Sequence, residues 1–156
     1  NEISLNNENQ DLNNLSDFAK KRGNSTIQLC GKIEAEIASL NDEERNYFLE
    51  EYNISEPGLN KLIHASYSLL GLETFFTAGE KEVRAWTIPK NTNAPKAAGQ
   101  IHSDIERGFI KAEVYSYTEL MNFKSETALK EAGKIRQEGK NYMIKDGDVI
   151  FFKFNV

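Results

Sequence analysis

Cysteine and tryptophan each occur once in this 156-residue chain, histidine and methionine twice, and proline three times. A lone thiol, Cys30, cannot close an intramolecular disulfide, and no basic-then-apolar leader opens the chain, so a reducing, cytoplasmic setting is the expectation. No apolar run approaches the roughly 18 residues of a membrane-spanning helix, which excludes an integral helical membrane protein. Neither histidine lies at ligand spacing from another His or Cys, so no metal site is expected. Charge of one sign does not dominate either, since 19 Lys and Arg stand against 24 Asp and Glu for a net charge of −5. A large nonspecific DNA-binding surface is therefore not expected. What is present is a 39% hydrophobic fraction, enough for a real core at this length. The chain begins at Asn1 rather than Met, and the expectation is that it is the C-terminal part of something longer.

The two halves differ in charge and texture. Residues 1–70 hold 6 Lys and Arg against 12 Asp and Glu, while residues 71–156 hold 13 against 12, a contrast of −6 with +1 that places a boundary near Gly71. The first dozen residues are Asn-rich and read as a loop. Leu12, Leu15, Phe18 and Ala19 then recur at helical spacing, with Lys20, Lys21 and Arg22 in the last turn and Gly23 as a stop. Thr26–Cys30 reads as a short strand, and Ile33, Ile37 and Leu40 mark the next helix. Asn41 and Glu44 form a capping box opening a helix over Asp42–Tyr52, and Ser55 caps one over Glu56–Leu70.

Beyond Gly71 short alternating runs predict strands at Leu72–Thr77, Val83–Ile88, Ile110–Tyr117, Tyr142–Lys145 and Val149–Val156. A helix over Lys96–Glu106 carries Ala97, Ile101 and Ile105 on one stripe, and another runs from a Ser125 cap through Ile135 to Gly139. Strands with one main helix across them make a small α+β domain.

The catalytic inventory is thin. His64 lies within a helix and reads as structural. His102 stands near Asp104 and Glu106 on a short helix, where residues two apart do not face each other. Cys30 ends an apolar run and reads as a small core residue, and Asp146 and Asp148 bracket Gly147 as a tight turn. No G-x-x-x-x-G-K-[ST] loop is present, so the chain offers no complete active site. Two binding features stand out. Glu82–Ile88 alternates, placing Arg84, Trp86 and Ile88 on one face; that face is either core, as Ile88 argues, or an open surface on which arginine and tryptophan meet a base or a phosphate. Lys90, Lys96, Arg107 and Lys111 surround the loop-helix-strand unit, with Lys134, Arg136 and Lys140 further on. A few lysines converging on one edge suffice for a salt-sensitive contact with structured RNA.

Phe75–Thr87, Ala94–Gly99, Ile101–Asp104, Gly108–Val114, Glu131–Lys134, Asp146–Ile150 and Phe152–Val156 are together similar to the C-terminal region of the YchF family, the Obg-like P-loop ATPases. The resemblance implies that residues 72–156 are a TGS domain with a ubiquitin-like β-grasp fold. It implies also that residues 1–70 are the C-terminal α/β segment of the P-loop nucleotide hydrolase domain, where Lys32–Ile37 and Asp42–Arg45 resemble the family. Asn1 and Glu2 match the last two residues of the family's base-recognition motif, Asn-x-x-Glu, and the later base-closing loop falls at Cys30 and Gly31, with Cys30 where a Ser is common. ATP or GTP with Mg²⁺ is thereby implied for the full-length protein and none for this chain alone, because the phosphate loop and switch segments precede Asn1. The implied partner is the ribosome, its large subunit or other structured RNA, met through Arg84, Lys90, Lys96, Arg107 and Lys111 by a monomer in the cytoplasm. A protein partner on the sheet of the second domain is the alternative.

Overall fold

The computed structural model describes residues 10–79 and 82–155, and the chain divides into two compact units, residues 1–69 and 70–156. In the first unit, α1 (Gln10–Lys21) stops where its sequence says it should. Gly23 takes a left-handed φ of 74° and donates its N–H to the Lys20 carbonyl at 3.0 Å. The following residues to Cys30 form neither helix nor strand. The strand expected at Thr26–Cys30 is corrected, because a strand exists only as half of a ladder and no segment pairs with this one among the described residues.

Helix α2 (Gly31–Ser39) buries Ile33 and Ile37 beside Cys30, and Phe48 and Leu49 of α3 (Asp42–Glu51) pack on them with Ile54. The capping box at the start of α3 is formed as read: Asn41 Oδ1 accepts from Glu44 N at 3.0 Å, and Glu44 Oε2 accepts from Asn41 N at 3.3 Å. Helix α4 (Gly58–Leu70) starts two residues later than expected. Pro57 disfavours helical backbone at Glu56, and the Pro57 carbonyl instead accepts from Asn60 N and Lys61 N, so Ser55 is not the cap. Both Glu34 carboxylate oxygens accept from Gly58 N at 2.9 Å, which ties α2 to the positive end of α4. A Cβ at Gly58 would meet the ends of the Leu29 and Glu34 side chains, which would have to shift to admit it.

The second unit is a five-stranded mixed sheet with helices. Strands β1 (Leu72–Ala78) and β2 (Val83–Pro89) pair as an antiparallel hairpin from Leu72↔Pro89 to Ala78↔Val83. Then come α5 (Ala94–Ile101), α6 (Ser103–Arg107), β3 (Phe109–Ser116), α7 (Tyr117–Phe123), α8 (Glu126–Glu131), β4 (Arg136–Glu138) and β5 (Asp148–Phe154). The sheet order is β2-β1-β5-β3-β4, with β1 and β5 parallel and the other neighbours antiparallel. Ala94, Ala97 and Ala98 have no accessible surface. Having only methyl side chains, they let α5 lie close on Phe75, Ile88, Ala112, Val114, Ile150 and Phe152. Alternation sends Phe76, Tyr115 and Val149 to the opposite face, where Leu129, Leu120 and Ile135 cover one part of it.

Four expectations in this unit need correction. The single helix at Lys96–Glu106 is two, broken at His102, whose backbone is extended (φ −162°, ψ 141°). His102 is thus the N-cap of α6; its Nδ1 accepts from Asp104 N at 3.2 Å, so the two residues do meet. Tyr142–Lys145 is not a strand but a single bridge of Met143 to Asn93, because only two main-chain bonds hold it: Ala94 N to Tyr142 O and Ile144 N to Thr92 O. Helix α8 ends at Glu131, with Gly133 at φ 66°, so Lys134 and Arg136 leave the helix and Arg136 starts β4. Tyr117 belongs to α7, whose Ser116 and Glu119 form a second capping box that ends β3.

Candidate functional site

Arg84 and Trp86 share a face of edge strand β2, as their spacing requires, and form the top of an aromatic column. The Arg84 guanidinium carbon lies 4.2 Å from the Trp86 ring centroid, and the Trp86 ring stacks on Phe75 at 6.4 Å and 16° from parallel. Trp86 Nε1 donates to Thr77 Oγ1 at 2.9 Å on the paired strand, which fixes the ring. Ile88 is fully buried, Trp86 half-buried and Arg84 exposed. The face therefore passes from core at Ile88 to surface at Arg84 along the strand.

The other expected cations are distributed as follows. Lys90 is exposed in the turn after β2, its N–H donating to Gly71 O at 2.7 Å. Lys96 on α5 is 2.7 Å from Glu106 Oε1, and the hydrogen bond it donates to that carboxylate raises the ammonium's pKa. Arg107 pairs with Asp104 one turn back on α6. Lys111 alternates with buried Ala112 and so faces the opposite side of the sheet, where its Nζ donates to Gln137 Oε1 at 2.9 Å. The five cations do not converge on one patch. Arg84 lies on the helix-bearing face with α5 and α6, Lys111 does not, and two of the five are already paired with carboxylates.

In the first unit, Cys30 is buried at the N-cap of α2 and its carbonyl accepts from Glu34 N at 2.9 Å, while Gly31 is exposed with open space where a side chain would stand. The N–H of Ile33 lowers the Cys30 thiol's pKa against the opposing effect of its surroundings. Asn1 and Glu2 lie outside the described residues. Among the described residues no group of His, Cys, Asp and Glu could hold a metal ion. Asp146 and Asp148 instead accept main-chain hydrogen bonds from Thr74 and Lys145.

One buried network was not legible in advance. Asp148 is 3% exposed, and its Oδ2 accepts from Tyr142 OH at 2.8 Å and Lys145 N at 2.9 Å, with Arg136 Nη2 3.6 Å from Oδ1. Burial and the bond to Asp148 push the Tyr142 phenol up to about 12. The tight-turn reading of Asp146-Gly147-Asp148 holds, with Gly147 at φ 79°, but the two carboxylates do more than turn the chain. They pin the starts of β1 and β5 and the segment before them.

A family model covers residues 72–155: YchF-GTPase_C, described as a protein of unknown function (DUF933). The chain belongs to the YchF family. The Ribosome-binding ATPase YchF of Escherichia coli O157:H7 is 52% identical over 145 residues, 93% of this chain and 40% of that protein. The one from Bacillus subtilis strain 168 is 54% identical over 148 residues, 95% of this chain and again 40% of the relative. The chain thus spans about 40% of the length of the curated relatives it matches. Among solved structures, the Schizosaccharomyces pombe YchF GTPase superposes with a TM-score of 0.77 at 34% identity over 96% of this chain and 40% of that one. A GTP binding protein from Pyrococcus horikoshii OT3, at 14% identity and a TM-score of 0.65, shares the fold. Membership in YchF agrees with the resemblance carried by Phe75–Thr87 and the later stretches. Among the described residues no helix is long and apolar enough to cross a membrane.

Proposed function

We propose that this chain is the C-terminal portion of a YchF-type ribosome-binding ATPase or GTPase, and that residues 72–156 form a β-grasp TGS domain that docks the protein on structured RNA of the large ribosomal subunit. The observation that carries the reading is the sheet order β2-β1-β5-β3-β4 with α5 packed across it straight after the hairpin, within the stretch that matches the family. Residues 1–70 are then the closing segment of the nucleotide-binding domain, with Asn1, Glu2, Cys30 and Gly31 its base-side remnant. The full-length protein binds ATP or GTP with Mg²⁺ and works as a cytoplasmic monomer, while this chain alone hydrolyses neither nucleotide. Arg84 and Lys90 have no carboxylate partner among the described residues, which makes them the strongest phosphate contacts; Lys96 and Arg107, each paired with a carboxylate, rank below them, and Lys111 tests the opposite face.

Co-sedimentation with large ribosomal subunits across a salt series tests this. Pelleting is expected to fall steeply as salt rises, as it does when cations displace the counterions of phosphates, and to be lost when Arg84, Lys90, Lys96 and Arg107 are all changed to Ala. Absence of pelleting at low salt would overturn RNA docking. Salt-insensitive pelleting would favour a protein partner instead. A specific feature supports that second reading: Val83 is 72% exposed and Phe151 50% exposed on the sheet face away from α5.

A further inference from the structure

Arg84 is a positioned cation. The aromatic surface beneath it is fixed, because Phe75 is fully buried and Trp86 is held by both the Phe75 stack and the bond to Thr77. Arg45, Arg107 and Arg136 each lie on a carboxylate, whereas Arg84 makes no ion pair among the described residues. Its guanidinium sits over the indole at 4.2 Å, and no side chain among the described residues accepts from its donors. Beside it, Trp86 lines a groove of about 530 Å³ with Ile101, Ile105, Phe152 and Phe154, and Glu82 lines the same groove.

The geometry points to a binding place for one unpaired nucleotide of single-stranded RNA, with its base stacked on the outer face of the Arg84 guanidinium at the groove and its phosphate on the guanidinium edge. The inference rests on the RNA-docking reading and narrows it to a single nucleotide and a single residue. A guanidinium is planar and presents a fork of donors, so it can stack on a base and bind phosphate at once, which an ammonium cannot. An acidic peptide would use the donor edge alone and leave the plane and the apolar groove idle. Glu82 repels phosphate, which places the phosphate on the Arg84 side.

Trp86 is the only tryptophan in the chain, so its fluorescence reports on this place directly. The 156-residue chain is titrated with a single-stranded hexa-adenylate, an abasic ribose-phosphate hexamer, inorganic phosphate and an octaglutamate peptide. Saturable quenching by hexa-adenylate is expected, weakened roughly tenfold in Arg84→Lys, which keeps the charge and loses the plane. The abasic hexamer is expected to bind at least that much more weakly. Binding by Arg84→Lys within twofold of the parent, equal binding of the abasic hexamer, or equal binding of octaglutamate would each overturn the inference, as would no binding of hexa-adenylate. Near-ultraviolet circular dichroism of Arg84→Lys verifies that the stack survives. Pelleting with ribosomes is scored separately: pelleting without hexa-adenylate binding sinks this inference and leaves RNA docking standing, whereas hexa-adenylate binding without pelleting does the reverse.

Discussion

In residues 70–156, eleven buried side chains form one cluster between the sheet and α5, and three more form a second on the other face. Among the described residues of the first unit the buried hydrophobic cluster is Cys30, Ile33 and Ile37, while Leu15, Phe18, Leu29, Leu62 and Ile63 are exposed and Leu69 is 80% exposed. Buried apolar area is the main favourable term in folding, so the two units cannot be equally self-sufficient. The second closes its own core. The first has helices and a Thr26–Cys30 segment that joins no sheet among the described residues and leaves Leu29 exposed. Local signals are no weaker there, since the α3 capping box is complete. What differs is the number of long-range partners.

The largest effect that separates the units is a cavity. Phe75→Ala removes the buried foot of the aromatic column and is expected to lower the stability of the second unit by about 3–5 kcal/mol, read from urea unfolding followed at Trp86. Ile37→Ala is expected to leave that Trp86 transition within about 0.5 kcal/mol, since it acts in the other cluster. A matching drop in both would break the comparison. Next is Gly108→Ala, where a Cβ would strike the main chain of Asn155 beside the β3–β5 irregularity. A loss of about 1–3 kcal/mol at the same probe is expected.

Glu34→Ala, in the first unit, removes the carboxylate at Gly58 N and is expected to cost about 0.5–2 kcal/mol locally. Faster amide exchange in the first turn of α4, with the sheet unaffected, is the readout. The smallest effect is a pH dependence. Because the Tyr142 phenol is pushed up to about 12 in the folded chain, its contribution to stability is complete below the ordinary tyrosine range near 10 and is lost as pH climbs toward 12. Ultraviolet titration of the phenols is expected to show late ionisation that Tyr142→Phe reduces, with buried Tyr115, also raised by desolvation, accounting for what remains.

The same contrast explains what could be read ahead of the structure. Signals confined to a few residues are legible: the Gly23 stop, the Asn41–Glu44 box and the strands β1 and β2, though not their pairing. The Ser116–Glu119 box was equally local, but the alternation of Phe109–Tyr117 masks it. Thr26–Cys30 has the composition of a strand, and composition does not supply a ladder partner. The break at His102 leaves the apolar stripe Ala97, Ile101 and Ile105 intact, so periodicity alone reads through it. At the candidate site the pairing of Arg84 with Trp86 followed from strand spacing. The pairing of Lys96 with Glu106 depends on the fold of α5 against α6, and the opposite orientation of Lys111 on the helix register of nothing nearby but on the pleat of β3.

Hydrogen exchange of the intact 156-residue chain tests the central claim most directly. Slow, cooperative exchange is expected across β3 and β5, residues 109–116 and 148–154, and fast exchange across residues 12–37. Equal protection of the two regions would contradict it.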